Sequence, residues 1–324
     1  MQASTVVSLQ NDAACLGFSI LDRAAACIHA GMVNQAMDDL FTGLRTTREL
    51  MSEEDWAEFA RYVRENHELC QFLHQDPLTW RALDKPRGYA GDAVMMDYVY
   101  GIECHQARTD ASPLGREIFA YIRKSQAPRS VRYRREHIAH LIDMMAMRRP
   151  TPSVLAVAAG HLREAELSNA LASGRLGRFV ALDADEASLR ELEKHYATLG
   201  VETIHASVRQ LLARKISLGT FDFVYAAGLY DYLNENTAQV LSARLFEMVR
   251  PGGQLLIPNF TPHVLDRGYM ETFMDWTLIY RDKAAMARLM HQIDPADIQS
   301  SDVYEDPSGS IVYLLLTKQD RMSQ

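Results

Sequence analysis

The chain has 324 residues, with 34 Lys+Arg against 42 Asp+Glu, a formal net charge of −8 and 48% hydrophobic residues. Those fractions are those of an ordinary soluble globular protein, and the length exceeds the usual single-domain mode of roughly 100–150 residues, so a core domain plus a second element is expected. An acidic balance lacks the clustered Lys/Arg that neutralises phosphates, which disfavours a nucleic-acid substrate, and no stretch approaches the ~20 apolar residues of a membrane-spanning helix.

The opening MQASTVVSLQNDAACLGFSI lacks the basic start and continuous apolar run of a secretory signal. Cys15, Cys27, Cys70 and Cys104 stand at wide, irregular gaps with no C-x-x-C pair. Reduced, mostly buried thiols in a cytoplasmic protein are the plain expectation.

Residues 12–80 place apolar side chains at three- and four-residue spacing and read as helices. Within them Ser52, followed by Asp55 and flanked by acids, predicts a capped helix start. The segment LDKPRGYAGDAVMMDYVYG, Leu83 to Gly101, carries Pro86, Gly88 and Gly91, which argue against a continuous helix through about residue 92. Helical spacing returns over 114–148, and Arg149-Pro150-Thr151-Pro152 predicts a hinge. The division expected is therefore a helical cap domain over 1–150 and a second domain over 151–324.

Beyond 150 the grammar changes to βα alternation. SVLAVAAG, FVALDAD, VETIHAS, FDFVYAAGL and QLLIPNF read as strands; REAELSNALASG and EASLRELEKHYATLG, the latter ending at Gly200, read as helices. Repeated βα units imply parallel strands with right-handed crossovers, hence an α/β doubly wound, Rossmann-like sheet. Pro251-Gly252-Gly253 reads as a turn feeding the fifth strand. DIQSSDVYE and SIVYLLLTK flank Asp306-Pro307-Ser308-Gly309, a tight turn between antiparallel strands. A parallel sheet closed by an antiparallel hairpin suits the S-adenosylmethionine (SAM) methyltransferase variant of this fold better than a dinucleotide dehydrogenase.

Ligands of doubly wound sheets bind outside the carboxyl ends of the strands. The loop after the first strand is Ala158-Ala159-Gly160-His161-Leu162-Arg163-Glu164, with one glycine where a dinucleotide fingerprint has three. Small Ala158 and Ala159 with Gly160 still let the backbone pass close to a ligand. The poor phosphate cradle favours SAM, which has no phosphate, over NAD.

Asp183 ends the second strand and suits a bond to both ribose hydroxyls; the alternative is that Asp183 or Asp185 caps the next helix. Ser207, after the third strand, falls where an adenine-edge contact would lie. The fourth strand runs into Ala226-Ala227-Gly228-Leu229-Tyr230-Asp231-Tyr232, small residues that leave room for a ligand at Ala227 and an aromatic–acid–aromatic cluster that could line it. Aromatic faces attract a sulfonium by cation–π contact, worth roughly 0.5–2 kcal/mol. The alternative is that the tyrosines pack and Asp231 caps a helix. Asn259 ends the fifth strand and is a further candidate for a substrate contact.

YMETFMDWTLIYR, residues 269–281, holds an aromatic and methionine stripe that reads as a core helix, with a lid over an apolar ligand as the alternative. His137 and His140 lack a third ligand at metal-binding spacing and read as solvent-exposed. Arg129, Arg132, Arg134 and Arg135 read as a solvated helix face, from which one arginine, with Arg132 the candidate, reaches the methionyl carboxylate of SAM.

The segments LAVAAGHLREAE, FDFVYAAGLYDYL, RPGGQLLIPNF and YMETFMDWTLIYR, with DKPRGYAGDAVMMDYVYG and SVRYRRE upstream, resemble one class I SAM-dependent methyltransferase family over roughly residues 65–317. That family includes enzymes assigned to 3-hydroxypalmitic acid methyl ester signal biosynthesis and the azetidine-2-carboxylate synthases of natural-product clusters. The resemblance implies that Gly160 and Asp183 carry SAM, that PRGYAGD belongs to a helical cap over the active site, and that Tyr89, Tyr230, Asp231 and Asn259 line the reaction pocket. Ala156 and Ala158 depart from the acid and glycine usual in such loops, which shifts the methionine-end contact toward His161, Arg163 or Glu164. Three readings follow: methyl transfer to a carboxylate or hydroxyl of a small molecule, cyclisation of SAM with release of methylthioadenosine, or a non-catalytic SAM-binding scaffold. None demands a metal, and oligomeric state is not encoded in any of these features.

Overall fold

The computed structural model of the protein describes residues 12–102 and 105–320. The chain forms two compact units: Met1–Arg129 with His263–Thr277, and Ser130–Pro262 with Leu278–Gln324. This division differs from the one expected at residue 150, both in where the first unit ends and in the later segment it recruits. Cys104 lies outside the described residues; of the other cysteines Cys70 is buried, Cys27 half-buried and Cys15 exposed.

In the first unit the helices Asp12–His29, Val33–Leu50, Glu53–Asn66, Leu69–Leu73 and Pro77–Asp84 fill the region expected to be helical. The Ser52 hydroxyl accepts from the Asp55 N–H and caps the third of them, as its sequence spacing predicts. Asp92 stops the Gly-rich segment: its carboxylate accepts from the Met95 N–H to start the helix Ala93–Tyr100 and takes a bidentate bond from Arg81 at 2.9 and 2.7 Å.

The region 269–281 is not one helix. A short helix, Arg267–Phe273, is followed by irregular chain. It packs closely because Gly268 has no side chain: a Cβ there would lie 2.8 Å from the Cβ of Leu44. Tyr269 stacks on Phe41 at 4.8 Å between ring centroids, and Arg48 donates to Glu271 at 2.9 Å. These non-local contacts place the segment in the helical unit, and Tyr269, Met270, Phe273 and Met274 are buried as a core stripe should be.

The second unit is a seven-stranded sheet ordered β3-β2-β1-β4-β5-β7-β6. The strands are β1 Ser153–Val157, β2 Arg178–Asp183, β3 Val201–His205, β4 Phe221–Tyr225, β5 Val249–Phe260, β6 Ile298–Glu305 and β7 Ile311–Lys318. The first five are parallel and β7 is antiparallel to both β5 and β6. Every residue of β1 and β4 is buried, and their only strongly polar members, Ser153 and Asp222, bond each other, whereas β6 ends the sheet with a polar, exposed stretch that discourages edge pairing. The doubly wound fold with its closing hairpin is the one the sequence predicts.

Three local expectations change. Pro251-Gly252-Gly253 lies inside β5 as an irregularity in its pairing with β4, with Gly252 at φ 68°, so it is a bulge and not a preceding turn. REAELSNALASG is a 3₁₀ turn, Arg163–Leu167, and a separate helix, Asn169–Ala172, because Ser168 caps a new start while Asp143 accepts from Ser168 Oγ and the Asn169 and Ala170 N–H groups. His137 is half-buried and hydrogen-bonded to Tyr304 at 2.7 Å; burial pulls its pKa below the ordinary value.

Candidate functional site

The crevice-facing loop after β1 is a tight coil in which Ala158, Gly160 and Leu162 are left-handed, at φ 53°, 55° and 52°. Two bonds tie it to β2: the Ala159 N–H donates to the Leu182 carbonyl at 3.1 Å, and the Gly160 N–H to Asp183 Oδ2 at 2.7 Å. Asp183 Oδ1 accepts from the Asp185 N–H at 2.8 Å. Each carboxylate oxygen has two lone pairs, so this arrangement leaves one on each for a further donor. Helix capping falls to Asp185, which accepts from the Ala187 N–H and from the Ser188 hydroxyl. Asp183 is thus at the strand end and is not the cap.

Beside this pair, β4 ends at Tyr225 and is followed by buried Ala226, half-buried Ala227 and exposed Gly228. The two small residues leave open space, bounded by the Arg134 guanidinium 3.8 Å from where a Cβ of Gly228 would sit.

Beneath the loop, Glu164 is buried and accepts from the Tyr225 hydroxyl at 2.6 Å; burial raises its carboxyl pKa. His161 is also buried, within electrostatic reach of Glu191. Arg163 pairs with Glu166 at 3.1 Å, and its carbonyl accepts from Arg135 at 2.8 Å. Glu164 therefore ties the end of the loop to β4, and the Arg163 carbonyl ties it to Arg135.

The residues expected to line the reaction pocket separate into different roles. Tyr230 is fully buried in the hydrophobic core against the helix Glu235–Glu247, its hydroxyl 3.1 Å from Ser242 Oγ. This corrects the expectation of a pocket-lining phenol: the 3₁₀ turn Tyr230–Tyr232 rotates Tyr230 inward and leaves Tyr232 exposed. Asn259 is buried and holds backbone, donating to the Phe260 and Ile279 carbonyls at 2.9 Å each while accepting from Arg281 at 2.7 Å. Arg281 also donates to the Tyr230 and Leu233 carbonyls, at 2.8 and 2.5 Å. It clamps the β4 and β5 ends, a role no sequence pattern pointed to.

Asp231 is buried too and accepts from the Phe260 N–H at 2.7 Å; burial pushes its carboxyl up to about 6. Ser207 forms a capping box with Gln210, its hydroxyl both accepting from the Gln210 N–H and donating to the Gln210 side chain. The cap uses the hydroxyl's one proton and one of its two lone pairs, so Ser207 can offer an adenine edge only an acceptor.

Tyr89 belongs to the first unit, where it is exposed. Of the arginine run, Arg129 is exposed as a solvated face requires, but Arg134 is buried, Arg135 bonds Arg163 and Glu166, and Arg132 is half-buried. Among the described residues no group of three or more His, Cys, Asp or Glu could hold a metal ion, and no helix is long and apolar enough to cross a membrane.

Gly160, Asp183, Ala227 and Gly228 thus meet at the carboxyl ends of β1, β2 and β4, where doubly wound sheets bind ligands. Residues 154–253 match the methyltransferase domain family. That match takes in β1 to β4 and the first residues of β5, the part of the sheet that carries this crevice.

Among solved structures, a possible exported protein from Bordetella parapertussis superposes with a TM-score of 0.54 at 16% identity, over 78% of this chain and 95% of that one. The apo form of the SAM-dependent methyltransferase SibL gives a TM-score of 0.48 at 16% identity, over 83% and 74%. Magnesium protoporphyrin IX methyltransferase (ChlM) from Synechocystis PCC 6803 with bound SAH gives 0.45 at 13%, over 60% and 87%. At such identities the likeness is one of fold. No curated relative matches the chain.

Proposed function

We propose that this protein is a SAM-dependent methyltransferase acting on a carboxylate or hydroxyl oxygen of a small molecule. The observation that carries the reading is the Gly160–Asp183 link: a strand-end carboxylate anchored by two backbone N–H groups, with lone pairs left for a pair of ribose hydroxyls. The left-handed loop and the small Ala227 and Gly228 fit a nucleoside that must pass close to backbone. SAM, when bound, supplies an electrophilic methyl on a sulfonium. The protein's own work is then to align an acceptor oxygen with that methyl and exclude water, for which no strong base is needed when the acceptor is a carboxylate.

The Arg281–Asn259 clamp holds the β4 and β5 loop ends rigid, a positioning role. Asp231 supports a second reading, cyclisation of SAM to azetidine-2-carboxylate. A buried carboxyl at about 6 is poised to take a proton from an amine near neutral pH.

Incubation of purified protein with SAM alone, with products separated by mass spectrometry against a no-enzyme control, tests both. Enzyme-dependent S-adenosylhomocysteine that appears only when an acid or alcohol is added establishes methyl transfer. Methylthioadenosine with a cyclic amino acid from SAM alone establishes the cyclase. Retention of SAM without turnover across a panel of acids and alcohols overturns both in favour of a binding scaffold.

A further inference from the structure

Two buried polar groups in the second unit have no function in the network so far described. The Tyr313 hydroxyl is fully buried in β7 and has no hydrogen-bond partner. An unpaired buried hydroxyl costs about 1–3 kcal/mol, so such a group calls for an explanation. The Arg134 side chain, 5% exposed, is the other. It feels the buried Glu164 and Asp231 by charge, but neither carboxyl makes an ion pair with it: Glu164 is bonded to Tyr225, and Asp231 to the Phe260 N–H.

Helical spacing sets Arg134 on the side of its helix that meets the closing hairpin. Ser130, Arg134 and His137 lie on one face of the helix Gln126–Arg148. Ser130 bonds Ser308 at the hairpin turn at 2.7 Å, and the His137 ring meets the Tyr313 ring at 5.1 Å between centroids. Arg134, between these two contacts, faces the start of β7, and its guanidinium borders the Gly228 gap. The Arg134 charge also acts on the Tyr313 hydroxyl, favouring its ionised form against the burial that raises its pKa.

We propose that Arg134 and Tyr313 form a carboxylate subsite beside Gly228, the guanidinium gripping the anion and the phenol donating to it. A guanidinium presents a planar fork matched to a carboxylate, and an anion there would satisfy both buried groups at once. The proposal rests on the reading above for the source of the anion, which is either the methionyl carboxylate of SAM or the carboxylate of the acceptor. It replaces Arg132 by Arg134 as the anion-binding member of the arginine run.

The test uses the full chain with Arg134→Met and Tyr313→Phe. Calorimetry compares S-adenosylhomocysteine with methylthioadenosine, which lacks the carboxylate. Thermal shift in saturating S-adenosylhomocysteine compares octanoate with octanol. If the methionyl carboxylate occupies the subsite, each variant loses about tenfold or more in S-adenosylhomocysteine affinity while methylthioadenosine is unchanged.

If the acceptor occupies it, nucleoside affinities hold and the octanoate-specific shift disappears. Tyr313→Phe keeps or raises the melting temperature, because the hydroxyl it removes makes no bond. Equal loss of both nucleosides, or no loss in either comparison, overturns the subsite. A wild-type chain that binds neither nucleoside overturns the functional reading instead, and the octanoate comparison, made without nucleoside, then decides the subsite alone.

Discussion

The backbone N–H of Gly160 donates to Asp183 Oδ2 at 2.7 Å, joining the loop after β1 to the end of β2. A generic nucleotide loop keeps its shape with several glycines; here one glycine and a carboxylate on the neighbouring strand share the task. Asp183 therefore shapes the loop and, on the function proposed above, offers its remaining lone pairs to a ligand.

Asp183→Ala is expected to lower SAM affinity by at least about tenfold, since one hydrogen bond to a charged group is worth roughly 1.5–3 kcal/mol. Calorimetry measures the loss and far-UV circular dichroism checks that the fold persists. Unchanged affinity would remove Asp183 from the ribose role.

Substitutions in the loop should have opposite signs two residues apart. Ala158 at φ 53° bears the left-handed penalty of an L-residue, so Ala158→Gly is expected to stabilise by a few tenths to about 1 kcal/mol in urea unfolding. Gly160→Val puts a β-branched side chain at φ 55° and is expected to cost about 1–2 kcal/mol or more, with loss of SAM binding. A destabilised Ala158→Gly would mean that the loop is not left-handed at that residue.

Tyr230 sits in the core, so its hydroxyl matters only to stability. Tyr230→Phe loses one buried bond to Ser242 and should cost about 0.5–1.5 kcal/mol while turnover stays at the wild-type level. A large fall in kcat at preserved stability would return Tyr230 to the reaction pocket.

Asp231 makes stability depend on pH in a defined direction. Burial raises its carboxyl from an ordinary 3.8 to about 6, so the folded state holds the proton more tightly than the unfolded chain. Its contribution is full below about pH 4, declines as pH rises to about 6 and is constant above. Asp231→Asn keeps an acceptor for the Phe260 N–H but does not titrate. The two proteins should be similar in stability near pH 4, and the Asn variant should lead by about 1–3 kcal/mol at pH 7. Urea unfolding across this range reads the gap; a gap that closes with rising pH would show instead a carboxylate stabilised by its cationic neighbours.

Legibility in the sequence followed the range of the interaction. Ser52 caps a helix through a bond three residues long, so spacing alone exposes it. The division between Asp183 and Asp185 needed the structure, because it turns on the Gly160 N–H 23 residues away. His263–Thr277 joins the helical unit through contacts such as Gly268 against Leu44, which no local composition signals.

The sequence by itself determined the alternation of strands and helices, the hairpin that closes the sheet, the position of the glycine loop and the acid at the end of β2. These follow from periodicity, turn chemistry and strand ends, all properties of contiguous residues. Only the tertiary structure decided where the polar side chains point. Tyr230 turns into the core, Asn259 and Arg281 tie backbone, Ser207 caps a helix, and Arg134 is buried while Arg132 is half-exposed. Irregular turns have no fixed period, and the buried face of a helix is selected by the surface it packs against; both are settled by partners far away in the chain.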